Sequence, residues 1–115
     1  MLVCSWFDLN KTEYVIGISI GIPKGGTFNR TMPRLFPTRD MVYSLKNDII
    51  TWDEYREEYL ELLRSRWNHG LRDQIMRLQN NATLCCWEKD PQRCHRSIVA
   101  EVIKKVRPDL QVEVR

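Results

Sequence analysis

The 115 residues suit one domain and leave no room for two. Hydrophobic residues at 43% and charged residues at 29% describe an ordinary globular chain with material for one core, and no apolar run approaches the roughly 20 residues a membrane span needs. The formal net charge of +3 is too small to imply nucleic acid by itself, and Met1-Leu2-Val3-Cys4 does not open a signal peptide, so a cytoplasmic protein with no membrane partner is the expectation.

In chain order, Val3 to Phe7 reads as a short apolar and aromatic strand, and Tyr14 to Ile20 as a β-branched strand buried on both faces. The stretch after Gly21-Ile22-Pro23, with Gly25-Gly26, Pro33 and Pro37, is too rich in Gly and Pro for regular structure. Thr38 caps a short helix through about Lys46, with Asp40 in its first turn. Thr51-Trp52-Asp53-Glu54 is a capping box, and the helix it opens carries Trp52, Tyr55, Tyr59, Leu62, Leu63 and Trp67 at helical spacing. That aromatic stripe reads as core packing in preference to a base-stacking platform. A third helix is predicted over Leu71 to Leu78, ended by Asn80-Asn81, and a third strand over Thr83 to Trp87. Ile98, Val99, Val102, Ile103 and Val106 then repeat at helical spacing before Pro108, and Leu110 to Val114 forms a last strand. Strands alternating with helices predict an α/β fold: a small, mostly parallel β-sheet flanked by helices, with residues 1–115 as a single domain.

Positive charge is unevenly dealt. Twelve Arg and six Lys make up the 18 basic residues, and Lys24 to Arg39 holds Lys24, Arg30, Arg34 and Arg39 with no acidic residue. Arg presents a planar fork suited to phosphate or carboxylate, although a solvated basic loop accounts for the same residues. The four cysteines, Cys4, Cys85, Cys86 and Cys94, are expected to be reduced in a cytoplasmic chain. Adjacent Cys85 and Cys86 point to opposite faces of a strand. No CxxC pair occurs and His69 is isolated, so a structural zinc site has little support. No cofactor is expected either, since GxGxxG is absent. Gly21 to Thr27 lacks the P-loop spacing, and neither Cys85 nor Cys86 is followed six residues on by the Arg of a phosphatase loop.

The chemistry-bearing stretch runs from Thr83 to Val99. A hydrophobic strand delivers polar residues to its C-terminal end, and Cys-His-Arg-Ser then opens a helix. Ligands of open α/β sheets bind outside the C-terminal ends of strands, and helix N-termini favour anions. Catalytic candidates are Cys94, with a thiolate favoured near a helix start, His95 as a proton carrier near neutral pH, Glu88 as general base or as an ion-pair brace for Arg96, and Cys86. Anion-binding candidates are Arg96, Ser97 and Lys24. Burial explains Cys85 and Cys86 as readily as chemistry does, because free Cys packs as a small hydrophobe.

Leu84-Cys85-Cys86-Trp87-Glu88-Lys89 followed by Cys94-His95-Arg96 resembles the signature of domain-of-unknown-function family 488. Val15 to Lys24 resembles that family's second strand and following loop, Val3 to Phe7 its first strand, and Ile50 to Tyr55 the start of its middle helix. The resemblance implies a compact α/β domain with Cys86, Glu88, Cys94, His95 and Arg96 at the motif positions, and implies no particular reaction. Three functions stay open on the sequence. The first is an enzyme acting on a phosphorylated small molecule, nucleotide or nucleic-acid end. The second is a non-catalytic binding module for nucleotides or nucleic acid. The third is a metal site at Cys86, Cys94 and His95.

Overall fold

The computed structural model describes residues 2–6, 14–20, 30–86 and 90–115. Five strands, β1 (Leu2–Trp6), β2 (Tyr14–Gly17), β3 (Arg30–Thr31), β4 (Ala82–Cys86) and β5 (Val112–Val114), form one sheet in the order β3-β2-β4-β1-β5. Every pairing is parallel. Helices α1 (Arg39–Lys46), α2 (Trp52–Arg66), α3 (Arg72–Met76) and α4 (His95–Val106) complete the α/β fold.

The sheet's apolar content follows from its position. β4 is central, and all five of its residues are buried. Side chains alternate across a strand, so Leu2, Cys4, Ile16, Ile18, Leu84 and Cys86 share one face and join a cluster with Met41, Tyr59, Ile75 and Ile103, residues from all four helices. Val3, Ser5, Val15, Thr83 and Cys85 are buried on the opposite face. Cys85 and Cys86 therefore part to the two faces, as alternation requires.

Local signals set the helix starts. The Thr38 hydroxyl accepts from Met41 N at 3.1 Å, and the Thr51 to Glu54 capping box is closed in both directions. Trp52, Tyr55 and Tyr59 stack along α2 at centroid distances of 5.3 and 6.3 Å, with Tyr55 and Tyr59 buried, so the aromatic stripe is core.

Several boundaries differ from the sequence expectation. The Gly- and Pro-rich stretch holds regular structure after all: β3 pairs with β2, and Pro33–Leu35 forms a 3-10 turn whose proline occupies a first-turn position. The expected third helix, Leu71 to Leu78, is shortened to Arg72–Met76. It is joined to α2 by a π-type turn, Trp67–Leu71, in which Gly70 takes φ +104°. A Cβ at Gly70 would also lie 2.8 Å from Arg34 Nε. The carbonyls at the end of α3 are met by Arg107, whose Nη1 donates to Ile75, Met76 and Leu78. β5 begins at Val112, two residues later than Leu110. Phe7 and Trp87, the expected last residues of β1 and β4, lie outside the described residues. Among the described residues no helix is long and apolar enough to cross a membrane.

Tyr59 ties α2 to the turn before α1: its buried hydroxyl donates to the Leu35 carbonyl at 2.6 Å. Burial raises the Tyr59 pKa well above its ordinary value, so the group stays a donor. Tyr59→Phe leaves that carbonyl unmatched and is expected to lower the unfolding free energy by about 1–2 kcal/mol in urea titration.

Candidate functional site

The site forms where three chain segments meet. β4 ends on Cys86, β2 runs out through Ile18 and Ser19, and α4 begins at His95 with Cys94 as its N-cap. A 3-10 turn, Pro91–Arg93, leads into the helix, and Asp90 holds it by accepting from Gln92 N at 2.9 Å. Cys94 makes no side-chain cap hydrogen bond. Ser97 instead turns its hydroxyl back onto the Cys94 carbonyl at 3.0 Å.

The hydrogen bonds of His95 fix its tautomer. Its Nε2 lies 2.7 Å from the Ile18 carbonyl, which can only accept, so Nε2 carries the proton. Nδ1 is then a lone-pair acceptor, and it faces Cys94 Sγ at 3.7 Å. The Tyr59 ring packs edge-on at 5.5 Å. Burial pushes the His95 pKa down to about 4 and the charge of Arg96 adds to the fall, while the Ile18 hydrogen bond opposes it. His95 is thus a neutral imidazole at neutral pH.

Arg96 is fully buried. Its Nε donates to the Arg115 carbonyl at 3.0 Å and its Nη1 to Cys86 Sγ at 3.1 Å. A guanidinium against a sulfur favours the thiolate once that sulfur is reduced. Against the expectation of four free thiols, Cys86 and Cys94 are joined as a disulfide, with Cα atoms 7.6 Å apart. Cys4 and Cys85 are buried and lie outside the disulfide, and burial pushes the Cys4 thiol up to about 12 despite Arg96 nearby. Cys4 is a packed neutral thiol.

Cys94 and His95 form one end of a cleft of about 620 Å³ beyond the C-terminal ends of the strands. Its wall carries Arg39, Lys46 and Arg93 against Asp48 and Asp90, with Tyr43 and Tyr55 beside them. Arg93 pairs with Asp48 at 3.7 Å, both side chains largely exposed, a contact worth about 0–1 kcal/mol. Ser19 also lines the cleft. Its hydroxyl is buried and has no hydrogen-bond partner among the described residues.

The sequence-derived site residues therefore separate. Cys86, Cys94, His95 and Arg96 come together, with Cys94 and His95 lining the cleft while Arg96 points inward and Ser97 braces the helix start. Glu88 and Lys24 lie outside the described residues. Of the other basic residues between 24 and 39, Arg30 is exposed, Arg34 Nε donates to the His69 carbonyl at 2.8 Å, and Arg39 reaches the cleft. Sequence reasoning did not single out Ser19, Tyr43 or Arg93, which distant segments bring to the same wall. Arg93, directly before Cys94, was the one with an available signal.

Fold and site together define a parallel α/β protein with a Cys-His-Arg cluster at its strand ends. Residues 15–107 match the family model DUF488-N3a, described as the active DUF488-N3 subclade, and the chain belongs to the DUF488 family. No curated protein and no solved structure matches the chain.

The depressed His95 pKa has a stability consequence. Between pH 6.5 and about 4 the unfolded chain binds a proton that the folded site excludes, so stability is full above pH 6.5 and falls as pH drops through that window. The full gap corresponds to roughly 3 kcal/mol. In chelator-containing buffer, urea midpoints of the wild type should fall from pH 7 to pH 5. The slope should be shallower in His95→Gln.

Proposed function

We propose that this protein is an enzyme acting on a phosphorylated small molecule or nucleotide bound in the cleft over Cys94 and His95. The observation that carries the reading is a cleft over Cys94 and His95 whose described cationic side chains, Arg39, Lys46 and Arg93, outnumber the carboxylates of Asp48 and Asp90, with Ser19, whose buried hydroxyl has no hydrogen-bond partner among the described residues, on its wall. Arg39 and Arg93 supply forked donors for phosphate, and Arg93 can exchange its weak, exposed contact with Asp48 for a phosphate oxygen. Tyr43, well exposed on the cleft wall, offers an aromatic face to a base or other planar group.

In the reduced protein the Cys94 thiol donates to the neutral His95 Nδ1, which orients it toward the bound compound; its thiolate, the reactive form of cysteine, forms on loss of that proton to solvent. Arg96 acts from behind, through Cys86. A cytoplasmic setting suits this chemistry because it keeps thiols reduced. The description of the matched subclade as active supports an enzyme over a binding module. Glu88 is the further acid–base candidate from the sequence.

Titration calorimetry of the reduced protein against paired nucleotides and nucleosides tests the reading. The phosphorylated member should bind at least about tenfold tighter, and Arg39→Gln or Arg93→Gln should each remove about that factor. Cys94→Ser should keep binding and lose turnover. Equal affinity for nucleoside and nucleotide, or retained turnover in Cys94→Ser, would sink it.

A further inference from the structure

Three donor atoms where β4 meets α4, two of them on residues lining the cleft, are arranged for more than a reactive thiol. Cys86 Sγ, Cys94 Sγ and a ring nitrogen of His95 lie within 4.8 Å of one another, and all three residues are buried. Their backbone positions are fixed, Cys86 by the last position of β4 and the other two by the N-terminus of α4. Two thiolates with one imidazole form a donor set that selects Zn2+ and similar borderline-soft ions over Mg2+ or Ca2+, which take oxygen ligands.

The distances agree with that chemistry. With metal–sulfur bonds of about 2.3 Å and metal–nitrogen bonds of about 2.0–2.1 Å, the sulfur–nitrogen edge of a tetrahedral site is about 3.6 Å. Cys94 Sγ and His95 Nδ1 stand 3.7 Å apart. The Cα atoms of Cys86 and Cys94 stand 7.6 Å apart, wider than the roughly 4.4–6.8 Å usual for a disulfide.

The outer shell is in place as well. The bond from Nε2 to the Ile18 carbonyl locks the ring and leaves Nδ1 as the ligand atom, the way metal-bound histidines are commonly oriented. Arg96 Nη1 donates to Cys86 Sγ and balances part of its charge. Cys94 and His95 line the cleft, so a fourth coordination position would open into it.

We infer that the reduced protein binds one divalent ion of the Zn2+ class through Cys86 Sγ, Cys94 Sγ and His95 Nδ1, with the fourth position open to the cleft for water or an oxygen of the bound compound. The protein ligands stand on their own geometry; only the compound at the fourth position rests on the function proposed above. Reduction comes first: a phosphine such as TCEP transfers two electrons to the disulfide and becomes the phosphine oxide, water supplying the oxygen and the two protons that leave two thiols. Binding then releases the two thiol protons to solvent.

Protein held in TCEP and stripped of metal would be titrated with Co2+ alone. A single equivalent should saturate it, producing the intense visible bands of tetrahedral cobalt and a thiolate-to-cobalt charge-transfer band, both bleached by one equivalent of Zn2+. Cys86→Ala and Cys94→Ala should lose the charge-transfer band or weaken it strongly, and Cys85→Ala should keep it. If the first two variants fail to fold, the wild-type titration decides. Weak octahedral cobalt spectra while a thiol reagent counts all four cysteines as free would overturn the inference, as would a band lost equally in Cys85→Ala. Nucleotide binding without any cobalt site refutes the metal centre and leaves the cleft function standing. A cobalt site without any phosphate-dependent binding does the reverse.

Discussion

The hydrogen bond from His95 Nε2 to the Ile18 carbonyl joins the start of α4 to the end of β2 across 77 residues of sequence. Much of the site's chemistry descends from it. A carbonyl can only accept, so the proton is held on Nε2 and the other nitrogen is left bare. That bare nitrogen faces Cys94 Sγ. Because the bond is buried beside the Tyr59 ring, the imidazole has no water to share its charge with and stays neutral near pH 7. One backbone contact thus decides ring orientation, tautomer and charge together. A histidine free to rotate in solvent would offer none of the three.

Arg96 plays the complementary part from the interior. An unpaired guanidinium buried this deeply would be prohibitively costly, so the chain surrounds it with acceptors, including the Arg115 carbonyl and the Cys86 sulfur. The strand order makes this possible. β5 lies beside β1 at the edge, and the carbonyl that follows it reaches the start of α4. The positive charge stays against the Cys86 sulfur, while of the cluster Cys94 and His95 line the cleft. The cations are therefore divided: buried Arg96 lies against the Cys86 sulfur from the core, while Arg39 and Arg93 stand on the cleft wall.

Much of this architecture was legible in the sequence because its cues are local. The β-branched run at Val15 to Ile18, the Thr51 to Glu54 capping box and the stripe from Ile98 to Val106 each determine an element from a few adjacent residues. What escaped depends on distant partners. β3 is two residues long and exists because β2 offers it an edge. The end of α3 is set by Arg107, some thirty residues further on, more than by the asparagines that follow it. The cleft wall draws on α1, the turn before α4 and the end of β2, and no short motif announces that gathering.

The inward direction of Arg96 is written in the helix period. Residues three, four and seven positions after it, Val99, Ala100 and Ile103, are all buried. A side chain at the head of such a stripe shares its face and must enter the core. Read with the helix period, Cys-His-Arg is not three equivalent site residues. Cys94, at the cap, and His95, in the first turn, reach the cleft, while Arg96 is carried round to the sheet. This rotation explains why a fully charged side chain sits beneath the cleft instead of lining it. It also explains why the sulfur it touches is Cys86, delivered from the strand side, and not the Cys94 two residues before it. The same turn of helix brings the strand cysteine, the cap cysteine and the imidazole to a common point, which neither β4 nor α4 could assemble alone.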